Sequence, residues 1–395
     1  MPALCKATTG DVSCRPAGTF PCYRFDNGRR TDCKEKSCLV GPQQQETGRR
    51  RRAIGGRTIL DYPFKSERPD IRRGWWDKLR TAYETARITR RERRNKKPVE
   101  LSPVAQVSRL GTTDIPLVFI THNDMAILPF FLRHYRQLGV TRFICVDDVS
   151  QDGTREFLAE QPDVDLWVSP IRYKEARRGR RWRETLFARY GYDRWYVNVD
   201  SDEFLFYDQC ESKTLGTLIT TLEKHDVKRL AAPMLDMYPG PGSIQPDAEQ
   251  GFAWEFSNYF DASGYDAKLD KRGVSLKGGP RKRRFGEANE LMKYPLIFWD
   301  RSCFFGSSPH RPLPYDRNFS SDWGVLLHFK FFTNYRDKIT EAANAEQHHN
   351  NSQHYKAMEA ELQLGELELT DKISSPFRDA QQLADLGFIT SSDLN

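Results

Sequence analysis

From residue 115 onward the chain alternates short apolar runs with longer amphipathic stretches. IPLVFI (115–120), RFICVD (142–147), VDLWVS (164–169) and WYVNV (195–199) are compact enough to read as buried strands. Behind the first, THND is turn chemistry. Ile127, Leu128, Phe131, His134 or Tyr135, and Leu138 then recur at helical spacing until Gly139 ends the pattern as a cap. DVSQDGT opens a second helix, TREFLAEQ, and a basic, partly helical stretch at 171–190 leads into the fourth strand. This order predicts an α/β fold, with parallel strands joined by crossover helices.

Beyond it, LAAPMLDMY (230–238) predicts another buried strand ending at Asp236, followed by the loop PGPGSIQPDAEQG. Residues 252–300 hold aromatics, the basic cluster GGPRKRRF (278–285) and the strand YPLIFW. GVLLHFKFF (324–332) predicts a late strand carrying His328 and Lys330 on one face, since they are two apart. Residues 335–366 read as one or two helices, and the last stretch as a weakly specified tail. The expected organisation is a disordered basic leader (1–70), a basic helical arm (71–110), an α/β domain (111–335) and a helical C-terminal extension and tail (336–395).

Charge sharpens this division. The formal net charge is +7, yet residues 1–98 carry 25 Lys and Arg against 11 Asp and Glu. That is +14 in the first quarter and −7 in the rest, so the basic character says little about what the α/β domain binds. In the arm, Trp75, Leu79, Ala82, Ala86 and Ile88 can share an apolar stripe with Arg on the other faces. Three readings compete for it: a solvated arm docked on the domain, contact with an anionic membrane surface, and nucleic-acid binding. No apolar run approaches the ~18 residues of a membrane span, and the first residues lack a secretory apolar core. The expectation is a cytoplasmic protein, with peripheral contact at the inner face of a membrane left open. Five of the eight cysteines lie in the first 38 residues without a Cys-x-x-Cys pair, which argues against a structural zinc site.

The candidate chemistry gathers where α/β sheets bind ligands, beyond the carboxyl ends of strands. Polar clusters fall at 121–124, 147–152 and 200–203. In the last, Asp200, Asp202 and Glu203 lie within four positions after a core strand. Carboxylates so placed repel one another, and burying them unpaired is costly. They suit a hard divalent cation, Mg2+ or Mn2+, which can hold a phosphorylated ligand. The plainer alternative is a solvated turn.

Taken in order, these pieces resemble the family 2-like glycosyltransferases of the A-type fold, in a bacterial branch with Asp-x-Asp-Glu-Phe and a late Leu-Leu-His-Phe-Lys. The resemblance rests on Asn123, Leu128, Phe131, Leu132, His134, Tyr135, Leu138, Gly139 and Val140. It continues through Asp147 and Asp148, Ser150, Asp152, Gly153 and Thr154, then Trp195, Asp200, Asp202, Glu203 and Phe204. Leu-Asp-Met-Tyr at 235–238, Gly-Gly-Pro-Arg at 278–281 and Leu-Leu-His-Phe-Lys at 326–330 complete it, over roughly 115–335. Asp124 departs from the pattern, which has Glu there, and residues 1–110 have no counterpart.

The resemblance implies an A-type glycosyltransferase fold, a mostly parallel twisted sheet flanked by helices. It implies metal-dependent, inverting transfer of a sugar from a nucleoside-diphosphate donor to an acceptor hydroxyl, in polysaccharide or glycoconjugate synthesis. The acceptor, whether glycan, lipid-linked or protein, is not specified. Thr121, Asn123 and Asp147 or Asp148 are implied for the nucleobase and ribose. Asp200 and Asp202 are implied for the metal, with Asp200 also a candidate for the ribose or a metal-bound water. His328 is implied as a further metal ligand, the alternative being a core histidine, and Lys330 as a phosphate contact. Glu203 is equally a structural partner for an Arg. Inversion needs a base, for which Asp236 is the candidate and Asp322 the second. Arg281, Arg283, Arg284 and His310 are weaker candidates for an anionic ligand. Other readings are a non-catalytic sugar-nucleotide-binding relative, a nucleotidyltransferase and a nucleic-acid-binding protein acting through its arm. Nucleotidyltransferases usually place a Gly-rich loop after the first strand, and THND has no glycine.

Overall fold

The computed structural model describes residues 24–26, 29–31, 59–65, 69, 71–95, 97, 99–345, 353–365 and 367–390. Two units are distinguished, residues 1–49 and residues 50–395. In the first, β1 (Arg24–Asp26) and β2 (Arg29–Thr31) pair as an antiparallel hairpin. The remainder of the expected leader up to residue 58 lies outside the described residues.

The second unit begins with β3 (Ile59–Leu60) and α1 (Trp75–Arg94), then β4 (Ser102–Pro103). The predicted alternation follows: β5 (Pro116–Thr121), α2 (Leu128–Gln137), β6 (Arg142–Asp147), α3 (Thr154–Ala159), β7 (Val164–Val168), α4 (Arg180–Tyr190) and β8 (Arg194–Asn198). After it come β9 (Glu203–Phe206), α5 (Leu215–Lys224), β10 (Arg229–Asp236), α6 (Ala253–Phe256) and β11 (Tyr259–Asp261). Then come β12 (Asp266–Asp270), β13 (Gly273–Lys277), α7 (Gly279–Phe285), β14 (Met292–Trp299) and β15 (Val325–His328). The chain closes with α8 (Tyr335–Ala345), α9 (Gln353–Leu364), β16 (Ser374–Pro376) and α10 (Ala380–Asp385).

Nine strands form one sheet in the order β4-β7-β6-β5-β8-β14-β10-β15-β9. The fold is mixed α/β: β5, β6, β7, β8, β10 and β15 point one way, and β4, β14 and β9 run against them. The expected mostly parallel sheet thus holds for strand direction. The reversed β14 inserted between β8 and β10 makes its centre antiparallel.

Because side chains alternate across a strand, both faces of β5 and β6 are apolar and both are covered. Leu117, Phe119, Phe143 and Cys145 pack with α2 and α5 on one side. Val118, Ile120, Ile144 and Val146 pack with Trp182, Leu186 and Phe187 of α4 on the other. Gly139 ends α2 at φ 94, a left-handed conformation that favours glycine and marks the stop as the sequence predicted.

Three expectations need correction. Residues 59–64 are not part of a disordered leader: β3 pairs with β12, and Tyr62 and Phe64 are buried against Trp323. The C-terminal tail is likewise core. β16 pairs with β11, and Phe377, Leu383 and Phe388 join the main cluster. The arm docks differently from its predicted stripe. Its buried positions are Thr81, Glu84, Ile88 and Glu92, whereas Trp75 and Leu79 face out. Glu84 anchors it, pairing with Arg87, Lys271 and Arg272 at 2.9, 3.0 and 2.6 Å.

Candidate functional site

Three adjacent strands bring the site together. In register, Asp236 at the end of β10 lies beside His328 at the end of β15, and His328 lies opposite Glu203 at the start of β9. The β8–β9 turn therefore carries Asp202 to the imidazole. His328 Nδ1 is 2.6 Å from Asp236 Oδ1, and its Nε2 is 3.4 Å from Asp202 Oδ2. Ligand atoms of Asp202, Glu203 and His328 lie within 4.8 Å of one another.

β9 is an edge strand, and α2 holds it with side chains. The Tyr135 hydroxyl donates to the Glu203 carbonyl at 2.9 Å and accepts from the Leu205 N–H at 3.1 Å. His134 Nε2 is 3.0 Å from the Leu205 carbonyl. The His-Tyr pair of the predicted motif thus positions the acidic turn from behind.

The electrostatics separate the three acids. Burial alone would raise the Asp202 carboxyl, but His328 and then Lys330 and Lys338 outweigh it and hold it well below the carboxylate range. Burial would likewise raise Asp236, yet Arg281 and His328 depress it. Burial lowers His328, but the two carboxylates prevail and lift it to about 9. Both ring nitrogens face carboxylate oxygens, Nδ1 at Asp236 and Nε2 at Asp202, and a cation held by Nε2 would take the place of the proton there. Asp200 lines the same cleft as Asp202 and His328, but its oxygens go to Arg183 and, at 2.7 Å, to Lys293. Lys293 also pairs with Glu203, whose second oxygen accepts the Asp200 N–H at 3.0 Å. Burial raises Glu203 against the opposing pull of Lys293.

Of the expected metal set, Asp202 and His328 converge and Asp200 does not join them. Asp200 is neutralised by two cations and stands outside the cluster. Glu203 pairs with Lys293, where an arginine was the partner considered for a structural role. Asp202 and His328 suit a divalent cation. Their donors converge, and the far nitrogen of His328 is fixed by a carboxylate, the usual arrangement behind a metal-bound histidine.

These groups open onto a cleft of about 1180 Å3. Thr121, Asp148, Lys330, His310 and Arg281 line it, with His122, Asp124, Arg172 and Lys338. Thr121 donates to Asp124 Oδ2 at 2.8 Å, and Lys338 of α8 pairs with the other Asp124 oxygen. Asp148 accepts from Arg172 Nε at 2.9 Å; burial raises its carboxyl against that arginine. His310 has a buried Nδ1 without a hydrogen-bond partner, and burial drops its imidazole to about 3.

Other expected residues do not reach the cleft. The Asp147 side chain is fully buried and accepts from Arg155 Nε at 2.7 Å and from the Ser150 N–H at 3.1 Å, which shapes the loop. Asn123 ties its loop to the next, accepting the Gln151 N–H at 2.8 Å. Asp322 precedes β15 at the opposite end of the sheet, roughly 20 Å from His328 at strand rise. Asp236 faces Arg281 with both oxygens, at 2.8 and 3.0 Å, and His328 with one, so it is placed to orient the imidazole rather than to take a proton. Arg283 and Arg284 pair with Asp261 and Glu361.

Sequence reasoning missed Lys293, Arg183, Arg172 and Lys338. A signal existed for Lys293, a lone lysine in the apolar run MKYPLIFW. Arg183 sits among several arginines in RRWRETLFARY and nothing local distinguishes it.

No family model and no curated protein matches the chain. Among solved structures, the mannosyltransferase PcManGT from Pyrobaculum calidifontis, in complex with GDP-Man and Mn2+, is 17% identical with a TM-score of 0.24. That match covers 41% of this chain and 47% of the other, so the chain spans about half the length of that structure. A 4-diphosphocytidyl-2C-methyl-D-erythritol synthase is 12% identical with a TM-score of 0.24, over 47% of this chain and 76% of the other. A putative glucose-1-phosphate thymidylyltransferase from Bacillus anthracis is 7% identical with a TM-score of 0.25, over 48% and 72%. Overlaps this partial leave the site's chemistry to be read from its own residues.

Proposed function

We propose that this chain is a metal-dependent glycosyltransferase of the A-type fold, related to family 2, acting in polysaccharide or glycoconjugate synthesis. It transfers a sugar from a nucleoside-diphosphate donor to an acceptor hydroxyl. The observation that supports this reading is the convergence of Asp202 and His328, with Asp236 behind the imidazole, at the mouth of a cation-lined cleft. The cleft volume suits a nucleotide sugar.

In this reading Asp202 and His328 would hold the divalent cation. When bound, it offsets the negative charge that builds on the departing diphosphate. Asp236 fixes the His328 ring so that Nε2 is turned toward Asp202, where it would be available to a cation. Lys330 and Lys338 supply fixed positive charge beside the phosphates. Thr121 and Asp148 mark the nucleoside end, where Asp148 can accept from ribose hydroxyls once Arg172 yields. Lys293 and Glu203 keep the acidic turn rigid.

A thermal-shift panel of UDP-, GDP-, ADP- and dTDP-sugars, with and without Mn2+, tests the proposal. Stabilisation by one nucleotide only with metal present is the expected result. No stabilisation by any of them sinks it.

A further inference from the structure

The outer face of α1 is used by nothing described above. Trp75, Trp76, Leu79 and Tyr83 are 63%, 69%, 44% and 72% exposed. At 3.6 residues per turn they fall within an arc of roughly 100°. This arc lies opposite the docked side, where Thr81, Glu84, Ile88 and Glu92 are buried. Four large apolar or amphipathic side chains on one helix face, three of them aromatic, exceed the scattered exposure normal for a soluble surface.

The same face changes character along the helix. Its C-terminal half presents Arg90 and Arg94, both exposed. On its flank a groove of about 840 Å3 runs between α1 and the 302–316 segment, lined by Lys78, Arg90, Arg93 and Arg94 together with Ala82 and Ala86. Its lining thus pairs cationic heads with a methyl floor. Among the described residues, Asp316 is the one carboxylate in the groove's lining, against Arg73, Lys78, Arg90, Arg93 and Arg94, while Glu84 and Glu92 point inward to Arg87, Lys271, Arg272, Arg91 and Arg177.

We infer that α1 is a docking helix for an anionic bilayer surface. Trp75, Trp76, Leu79 and Tyr83 enter the headgroup and upper acyl region, where aromatic side chains with one polar edge are favoured. Arg90, Arg93 and Arg94 neutralise lipid phosphates along the flanking groove. Charge complementarity selects this occupant over a second copy of the chain, whose own α1 would bring like charge against like. The docking stands apart from the chemistry proposed for the cleft. It also gives that chemistry a place, since Glu92 in the last turn of α1 pairs at 3.0 Å with Arg177 on the cleft wall.

The test is co-sedimentation of the full chain with vesicles of phosphatidylcholine alone, or with about 30 mol % phosphatidylglycerol. The native chain is expected to pellet with the anionic vesicles and not the neutral ones. Trp75→Ala/Trp76→Ala/Tyr83→Ala is expected to weaken binding at least tenfold, and Arg90→Ala/Arg94→Ala about twenty-five-fold. Both variants alter exposed side chains, so melting temperatures matching the native chain are the folding control. The inference is overturned if the native chain stays in the supernatant or pellets equally with neutral vesicles. It is also overturned if both variants pellet like the native chain. A dimer that only the tryptophan variant loses, or salt-steep binding to DNA without vesicle binding, would each replace it.

Discussion

Lys293 carries the charge balance of the acidic turn. It is one ammonium, nearly buried, between Asp200 and Glu203, and the two carboxylates lift its pKa despite the opposing effect of burial. Removing one partner of a buried ion pair leaves the other uncompensated and costs about 3–5 kcal/mol. Lys293→Met is therefore expected to lower unfolding stability by that order in a denaturant titration; a change within error would show that the turn does not need its lysine. Asp236 makes a different prediction. If it orients His328, then Asp236→Asn weakens Mn2+ binding by about 10–100-fold, read by titrating the folded variant. The residue scale is also where the sequence was least legible. Asp202 and His328 were visible because they sit at strand ends among apolar neighbours. Which of Asp200 and Asp202 meets the His328 ring was not, because Arg183 and Lys293 come from 17 and 93 residues away from Asp200.

At the scale of elements, the arm is held by polar groups. Glu84 is buried, and its carboxyl falls from the ordinary 4.5 to about 2, first through Arg87 and then Arg272 and Lys271, against burial. A depressed folded pKa means the stabilisation is full above about 4.5 and is lost as pH falls towards 2. Pepsin is accordingly expected to cut α1 before the sheet as pH drops through that window, and Glu84→Gln to be cut early throughout it. Equal cleavage of native chain and variant would contradict the anchor. The strands with continuous apolar runs were readable to within a residue or two, as for β5, β6 and β7. β9 was hidden because its first residue is a charged Glu203. The C-terminal segment was hidden because Phe377, Leu383 and Phe388 are spread through polar text, although Asp379 and Gln382 form a helix-start pattern.

For the whole molecule, the sheet is closed by pieces from both ends of the chain. Tyr62, Phe64, Trp323 and Phe388 form one aromatic cluster. Phe388 is fully buried, so Phe388→Ala is expected to cost about 3–5 kcal/mol; a melting curve like the native one would return the segment to the status of a tail. Such long-range closure has no local signature, which is why the alternation of strands and helices was legible and the mixed strand directions were not. No described helix is long and apolar enough to cross a membrane.

Asp202 and His328 are the proposed clamp for a metal-bound diphosphate. Calorimetric titration with the nucleoside diphosphate that stabilises the chain, with and without Mn2+, tests this most directly. The native chain is expected to bind it with Mn2+ at least tenfold more tightly than without, and Asp202→Ala to lose that difference while keeping its fold. Equal affinity with and without metal, or an Asp202→Ala variant that retains the metal effect, would contradict it.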